Sequence, residues 1–236
     1  HAIGDYFSPE RLIAKLDNLG IDKVVLAPMG VRQDDSFVRP SPSALFPGCS
    51  WRNLVLRCEY RYRIITDAFY NVPNESLYQL KQACPDRVLQ FYWANPKDPD
   101  ILQEINDHYM EWQFDGVKLH QVLSDFDSDS DSMNAIADFC AAHQLPIFIH
   151  MNEQRHVEQF VHLVHQHPQT KFIVGHLIGY ETLAEQAFHL ENYWFDISPC
   201  ALLPKSRVLK ALNRYGSSRL IFGSDHPFGC NAAAKN

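Results

Sequence analysis

From residue 74 onward the chain alternates without a break between amphipathic stretches of helical length and short apolar runs rich in β-branched residues. The spacing predicts helices at about 74–85, 98–112, 131–144, 153–166, 180–190 and 204–216. Between them it predicts strands at 88–94, 115–120, 146–150, 171–176, 193–198 and 219–224. One more pair comes first: Ser8 caps a helix with Pro9 at its first position, Gly20 stops it, and residues 21–29 read as a buried strand. Strands that alternate with helices build βαβ units, and hence a parallel sheet. Seven such strands, plus one ending at or before His1, make an α/β protein of the (β/α)8 barrel type, the TIM barrel. A doubly wound sheet is the alternative, but it calls for a glycine-rich phosphate loop after an early strand, and none is present.

With 236 residues, 46% of them hydrophobic, the chain fits one barrel domain over residues 1–236. The repeat is interrupted only at 30–73, an insertion after the second strand that is expected to overhang the C-terminal mouth. Within it, Trp51 to Arg63 carries Arg52, Arg57, Arg61 and Arg63 against a single acid, Glu59. One reading is a solvated strand or hairpin. The other is a lid that presents Arg57 and Arg61 to an anionic substrate, because guanidinium forks bind carboxylates bidentately.

A net charge of −7 weighs against nucleic acid and against an anionic membrane surface, both of which demand a basic face. No apolar run approaches the ~18 residues of a membrane span. The six cysteines are scattered, without a CxxC pair, and read as free thiols of a cytoplasmic protein. The expected partner is a small-molecule substrate; homo-oligomer formation stays open.

Twelve histidines justify a search for a metal or acid–base site. Side chains alternate along a strand, so Lys118 and His120 share one face of 116–120. His150 ends its strand, His176 ends the next, Asp196 and Ser198 share a face of 193–198, and Asp225 follows the last strand. A single polar residue at a strand end is commonplace, since the next helix needs a cap. A series of them converges at one mouth of a barrel, and imidazole with carboxylate suits a catalytic divalent metal.

The strings GVKLH (116–120), IFIHM (147–151), FIVGHLIG (172–179), YWFDIS (193–198) and LIFGSDHPF (220–228) resemble the amidohydrolase-related family, metal-dependent (β/α)8 barrels of the amidohydrolase superfamily. The resemblance implies a metal-dependent hydrolase, with non-oxidative decarboxylation as the alternative. It implies His150 and Asp225 as metal ligands, Asp225 also as proton acceptor for water, and His176 as ligand or as orienter of water and substrate. His1 stands where the second histidine of the family's His-x-His pair would be. Lys118 stands where some relatives carry a carbamylated lysine and others bind substrate, and His120 shares its face. Zn²⁺ is the first metal expected and Mn²⁺ the second. A non-catalytic barrel is the competing class.

Two further patterns are set aside. Asp125, Asp127, Asp129 and Asp131 imitate the start of a Ca²⁺ loop, but Ser130 and Ile136 occupy the positions that need Gly and Glu. They read as a polar loop that caps the next helix. His162, His165 and His167 read as solvent-facing residues near a helix end.

Overall fold

The computed structural model describes residues 8–28, 73–198 and 203–225. The insertion expected at 30–73 therefore lies outside the described residues, Pro73 apart, as do His1, Arg57 and Arg61.

Helix α1 (Pro9–Asn18) leads to strand β1 (Val24–Leu26), α2 (Asn74–Ala83) to β2 (Val88–Trp93), and α3 (Ile101–Trp112) to β3 (Gly116–His120). A short α4 (Gln121–Ser124) precedes α5 (Asp131–Ala142) and β4 (Pro146–His150); α6 (Gln154–Gln166) precedes β5 (Lys171–Val174). A 3-10 turn at Gly175–Leu177 and α7 (Tyr180–Gln186) come before β6 (Tyr193–Asp196), and α8 (Lys205–Tyr215) before β7 (Leu220–Ile221). The seven strands lie in chain order, every neighbouring pair parallel. A doubly wound sheet would reverse its order at a switch point. Here every crossover steps the same way, which places the helices on one face and curls the sheet into a barrel wall.

Several local choices were legible. The Ser8 hydroxyl accepts the Arg11 N–H at 3.5 Å, and Ser130 caps α5 in the same way from Met133. Other expectations need correction. The strands expected at 21–29, 171–176, 193–198 and 219–224 are shorter, ending at Leu26, Val174, Asp196 and Ile221. His167 is not solvent-facing: its ring bridges to Asn134 at 2.8 Å and Asp138 at 3.0 Å, tying α6 to α5. The acidic loop before α5 is held by Arg155, which reaches both Asp125 and Asp127 at 2.6 Å.

Alternation along the strands divides the sheet into two faces. Val117, Leu119, Ile147, Ile149, Phe172, Val174, Tyr193 and Phe195 are fully buried and pack with Ile105, Met133, Ile136, Phe160 and Leu183. Each such side chain removed from water is worth ~1.5–3 kcal/mol, so this interface is the main source of stability. Cys140 lies in it as a free thiol, and Cys84 is free in a smaller cluster where Leu12, Leu16, Leu77 and Leu80 pack α1 against α2. Among the described residues, no helix is long and apolar enough to cross a membrane.

Candidate active site

The alternate residues point the other way, and the strand register arranges them in tiers. Trp93 is level with Lys118, Lys118 with Phe148, Phe148 with Ile173, and Ile173 with Trp194. Two residues further on, His120 is level with His150, and Asp196 with Ile221. Below the first tier, Phe91 faces Gly116, where an added Cβ would sit 2.6 Å from the phenyl ring. Glycine makes room for that ring.

In the lower tier the Lys118 ammonium lies 3.8 Å from the centre of the Phe148 ring. Only 5% of the residue is exposed, and among the described residues it makes no ion pair. Burial pulls its pKa down to about 8, against the pull of Asp225 and Asp196 in the opposite sense. Trp93 closes the side of the tier, its ring 5.8 Å from that of His120. The Asn74 side chain fixes that end of β2 by accepting the Trp93 N–H at 2.7 Å and donating to its carbonyl at 2.9 Å.

In the upper tier the His120 and His150 rings stack at 4.1 Å, and His176 meets His150 edge-on at 4.7 Å. Burial, then neighbouring cations, holds both His120 and His150 well below the ordinary histidine pKa. Both imidazoles are neutral at pH 7 and keep a lone pair; Nδ1 of His120 is buried without a hydrogen-bond partner among the described residues.

His176 behaves differently. It does not end β5 but sits two residues beyond it, at φ 59° and ψ 28°, followed by Leu177 at φ 54°. Two consecutive left-handed residues without glycine cost of order 1–3 kcal/mol each. The Asp196 carboxylate accepts the His176 N–H at 3.2 Å, and the Ser198 carbonyl accepts from Nδ1 at 2.5 Å. A carbonyl only accepts, so Nδ1 carries a proton, and the neutral form of the ring has its lone pair on Nε2. Burial would lower the His176 pKa, but the Asp196 contact and the charges of Asp225 and Asp196 outweigh it and raise the value. Asp225, at φ 49°, is shifted up by burial, against the attraction of His176 and Lys118.

The structure thus brings together Lys118, His120, His150 and His176, with Asp225 close enough to act electrostatically on Lys118 and His176. Among the described residues, no three His, Cys, Asp or Glu side chains gather closely enough to hold a metal ion by themselves. Asp196, placed at the mouth by the sequence but without a specific role, belongs to this face, as do Trp93 and Phe148, which the sequence reading does not single out. The alternation that found Lys118 would have found Trp93 and Phe148, had the register between strands been known.

Residues 60–229 match the family model described as amidohydrolase. Among solved structures, the chain is similar to 2,6-dihydroxybenzoate decarboxylase from Rhizobium, at 16% identity over 93% of this chain and 77% of that one, TM-score 0.61. It is similar to 5-carboxyvanillate decarboxylase from Novosphingobium aromaticivorans complexed with manganese and 4-hydroxy-3-methoxy-5-nitrobenzoic acid (17% identity, 93% and 70% covered, TM-score 0.59). A probable 2-pyrone-4,6-dicarboxylic acid hydrolase from Acinetobacter baumannii with citric acid bound is a third (14%, 93% and 74%, TM-score 0.60). At these identities the likeness is one of fold. No curated protein sequence matches the chain.

Proposed function

The chain belongs to the amidohydrolase family, and on that footing we propose that it is a metal-dependent hydrolase of a small, carboxylate-bearing substrate. The observation that carries this reading is the upper tier: neutral His120 and His150 beside His176, above a buried lysine without an ion pair among the described residues.

The donor chemistry fits a divalent ion. Burial strips the proton from His150, and the charges of His176 and Lys118 favour the carboxylate form of Asp225 against the burial that raises its pKa. His150 and Asp225 would hold the ion, with His1 from outside the described residues and His176 as a further donor. Zn²⁺ is the first candidate and Mn²⁺, bound by a similar fold, the second. Such an ion supplies Lewis acidity, polarising a carbonyl and making water easier to deprotonate. Asp225 accepts the proton of the attacking water, and its raised pKa makes it a better base than an ordinary carboxylate. Nε2 of His176 orients the water or the reacting carbonyl. Lys118 pairs with the substrate carboxylate. Arg57 and Arg61, outside the described residues, are proposed as further contacts to the anion.

A second reading, non-oxidative decarboxylation, is favoured by the aromatic lower tier. Trp93 and Phe148 flank Lys118 and suit a planar unsaturated acid held by its carboxylate.

Elemental analysis of protein purified without chelator is the first test, with about one divalent ion per chain expected. A metal content far below that, unmoved by added Zn²⁺ or Mn²⁺, would sink the proposal in favour of a non-catalytic barrel. A metal-loaded screen over lactones, esters, amides and aromatic carboxylic acids then separates acid release from CO₂ release.

A further inference from the structure

We infer that Asp196, acting through Ser198, is the positioning residue that sets the orientation and tautomer of His176. This inference rests on the reading of His176 as a site residue. The Asp196 carboxylate is 3% exposed and stands at the last position of β6, where the strand pairs with β7. One oxygen accepts both the Ser198 hydroxyl at 2.6 Å and the His176 N–H at 3.2 Å. The other accepts the Ser198 N–H at 3.1 Å. The Ser198 carbonyl, whose place is fixed by that grip, accepts in turn from Nδ1 of His176.

Backbone and ring of His176 therefore hang on one side chain. The left-handed turn at 176 lacks the glycine that would relax it, and the carboxylate hydrogen bond stands in for the missing conformational freedom. The ring contact holds a proton on Nδ1, the less favoured tautomer of a free neutral histidine. In the neutral ring Nε2 is then the nitrogen left with its lone pair. Gly223 completes the arrangement: a Cβ there would lie 2.7 Å from the Asp196 carboxylate and 3.1 Å from the Ser198 Cβ. The chain after β7 can pass over the carboxylate only because that position has no side chain.

Both carboxylate oxygens meet a backbone N–H, so an amide cannot replace the carboxylate: whichever way Asn turned, its NH₂ would face a donor. That makes Asp196→Asn a small but decisive change. The test is long-range ¹H–¹⁵N correlation spectroscopy of the full chain, histidine-labelled and chelator-treated, with the His176 signal assigned by its loss in His176→Gln. The parent should show the Nδ1–H tautomer. Asp196→Asn and Ser198→Ala should each shift His176 toward a mixture of tautomers or broaden it, Asp196→Asn the more. Once a substrate is known, Asp196→Asn should also lower kcat by roughly 10–100-fold, the usual effect of losing a partner that orients a site histidine. A folded Asp196→Asn chain with the parental His176 signal overturns the inference. If Asp196→Asn does not melt cooperatively, Ser198→Ala decides alone, and an unchanged signal there overturns it equally. A chain that shows the expected spectra but binds no metal and turns over nothing refutes the proposed function and leaves this assignment standing.

Discussion

The rings of His120 and His150 stack with their planes 24° apart because the two residues are register partners at the ends of adjacent parallel strands. Sequence separates them by the two helices α4 and α5; the parallel register sets them side by side. Stacking needs at least one ring neutral, since two imidazolium cations at this distance repel, and burial ensures it. The same register puts Lys118 beside Phe148.

Replacing Lys118 with Met keeps the stem over Phe148 and removes the charge. If Lys118 holds a substrate carboxylate, kcat/KM should fall by roughly 10–150-fold, the worth of one charge-assisted hydrogen bond at ~1.5–3 kcal/mol. Bound metal should be unchanged. Loss of metal from Lys118→Met would instead make the lysine part of the ion's own shell.

Stability should fall as the solution is acidified, in part through His156. Its ring is fully buried, with Nδ1 accepting the Glu153 N–H at 3.2 Å to cap α6. Burial, then Arg155, holds its pKa below the ordinary 6.5, against the attraction of Asp125, Glu153 and Asp127. The contribution is present in full above that value. As pH drops below it, the unfolded chain takes up a proton that the folded chain refuses, and stability is lost. His156→Gln keeps an acceptor at the same helix position without a titrating group. Urea melts at about pH 7.5 and 5 should show a smaller loss for the variant than for the parent; equal losses would clear His156 of the effect.

Gly116→Ala should cost ~1–3 kcal/mol by overpacking, because its methyl group would meet the buried Phe91 ring. Adding Phe91→Leu should return part of that loss, with a coupling of ~0.5–3 kcal/mol in a double-mutant cycle. Additive losses would mean that Phe91 is not the neighbour that matters.

Arg155→Ala should matter little. Arg155 reaches Asp125, Asp127 and Glu153, but 45% of its side chain is exposed and water screens the charges. A loss below ~1 kcal/mol is expected, and smaller still at high salt. A loss of several kcal/mol, insensitive to salt, would contradict this.

What the sequence could and could not convey follows from the range of the forces involved. The strand at 146–150 was legible to the residue because a short apolar run opened by Pro146 and closed by His150 is a local signal. The strand expected to reach 176 stops at Val174 because the His176 N–H bonds to a carboxylate twenty positions downstream instead of to the ladder. The strand expected to reach 198 stops at Asp196 for the complementary reason, since Ser198 turns back onto that carboxylate. His150 and His176 could be named from their places after apolar runs. The part played by Asp196 could not, because it exists only once β5 and β6 are side by side.

The division of each strand between a helix-facing and an inward-facing set gives this protein a mutational grammar. Along β3 and β4, Val117, Leu119, Ile147 and Ile149 answer to packing, while the residues between and beyond them, Lys118, His120, Phe148 and His150, face the interior and leave that interface untouched. A library that randomises only every second codon of these strands would reshape the inward face while the parent's core stays intact. Variants from it should fail by losing turnover, and those from the opposite codons by failing to accumulate as folded protein.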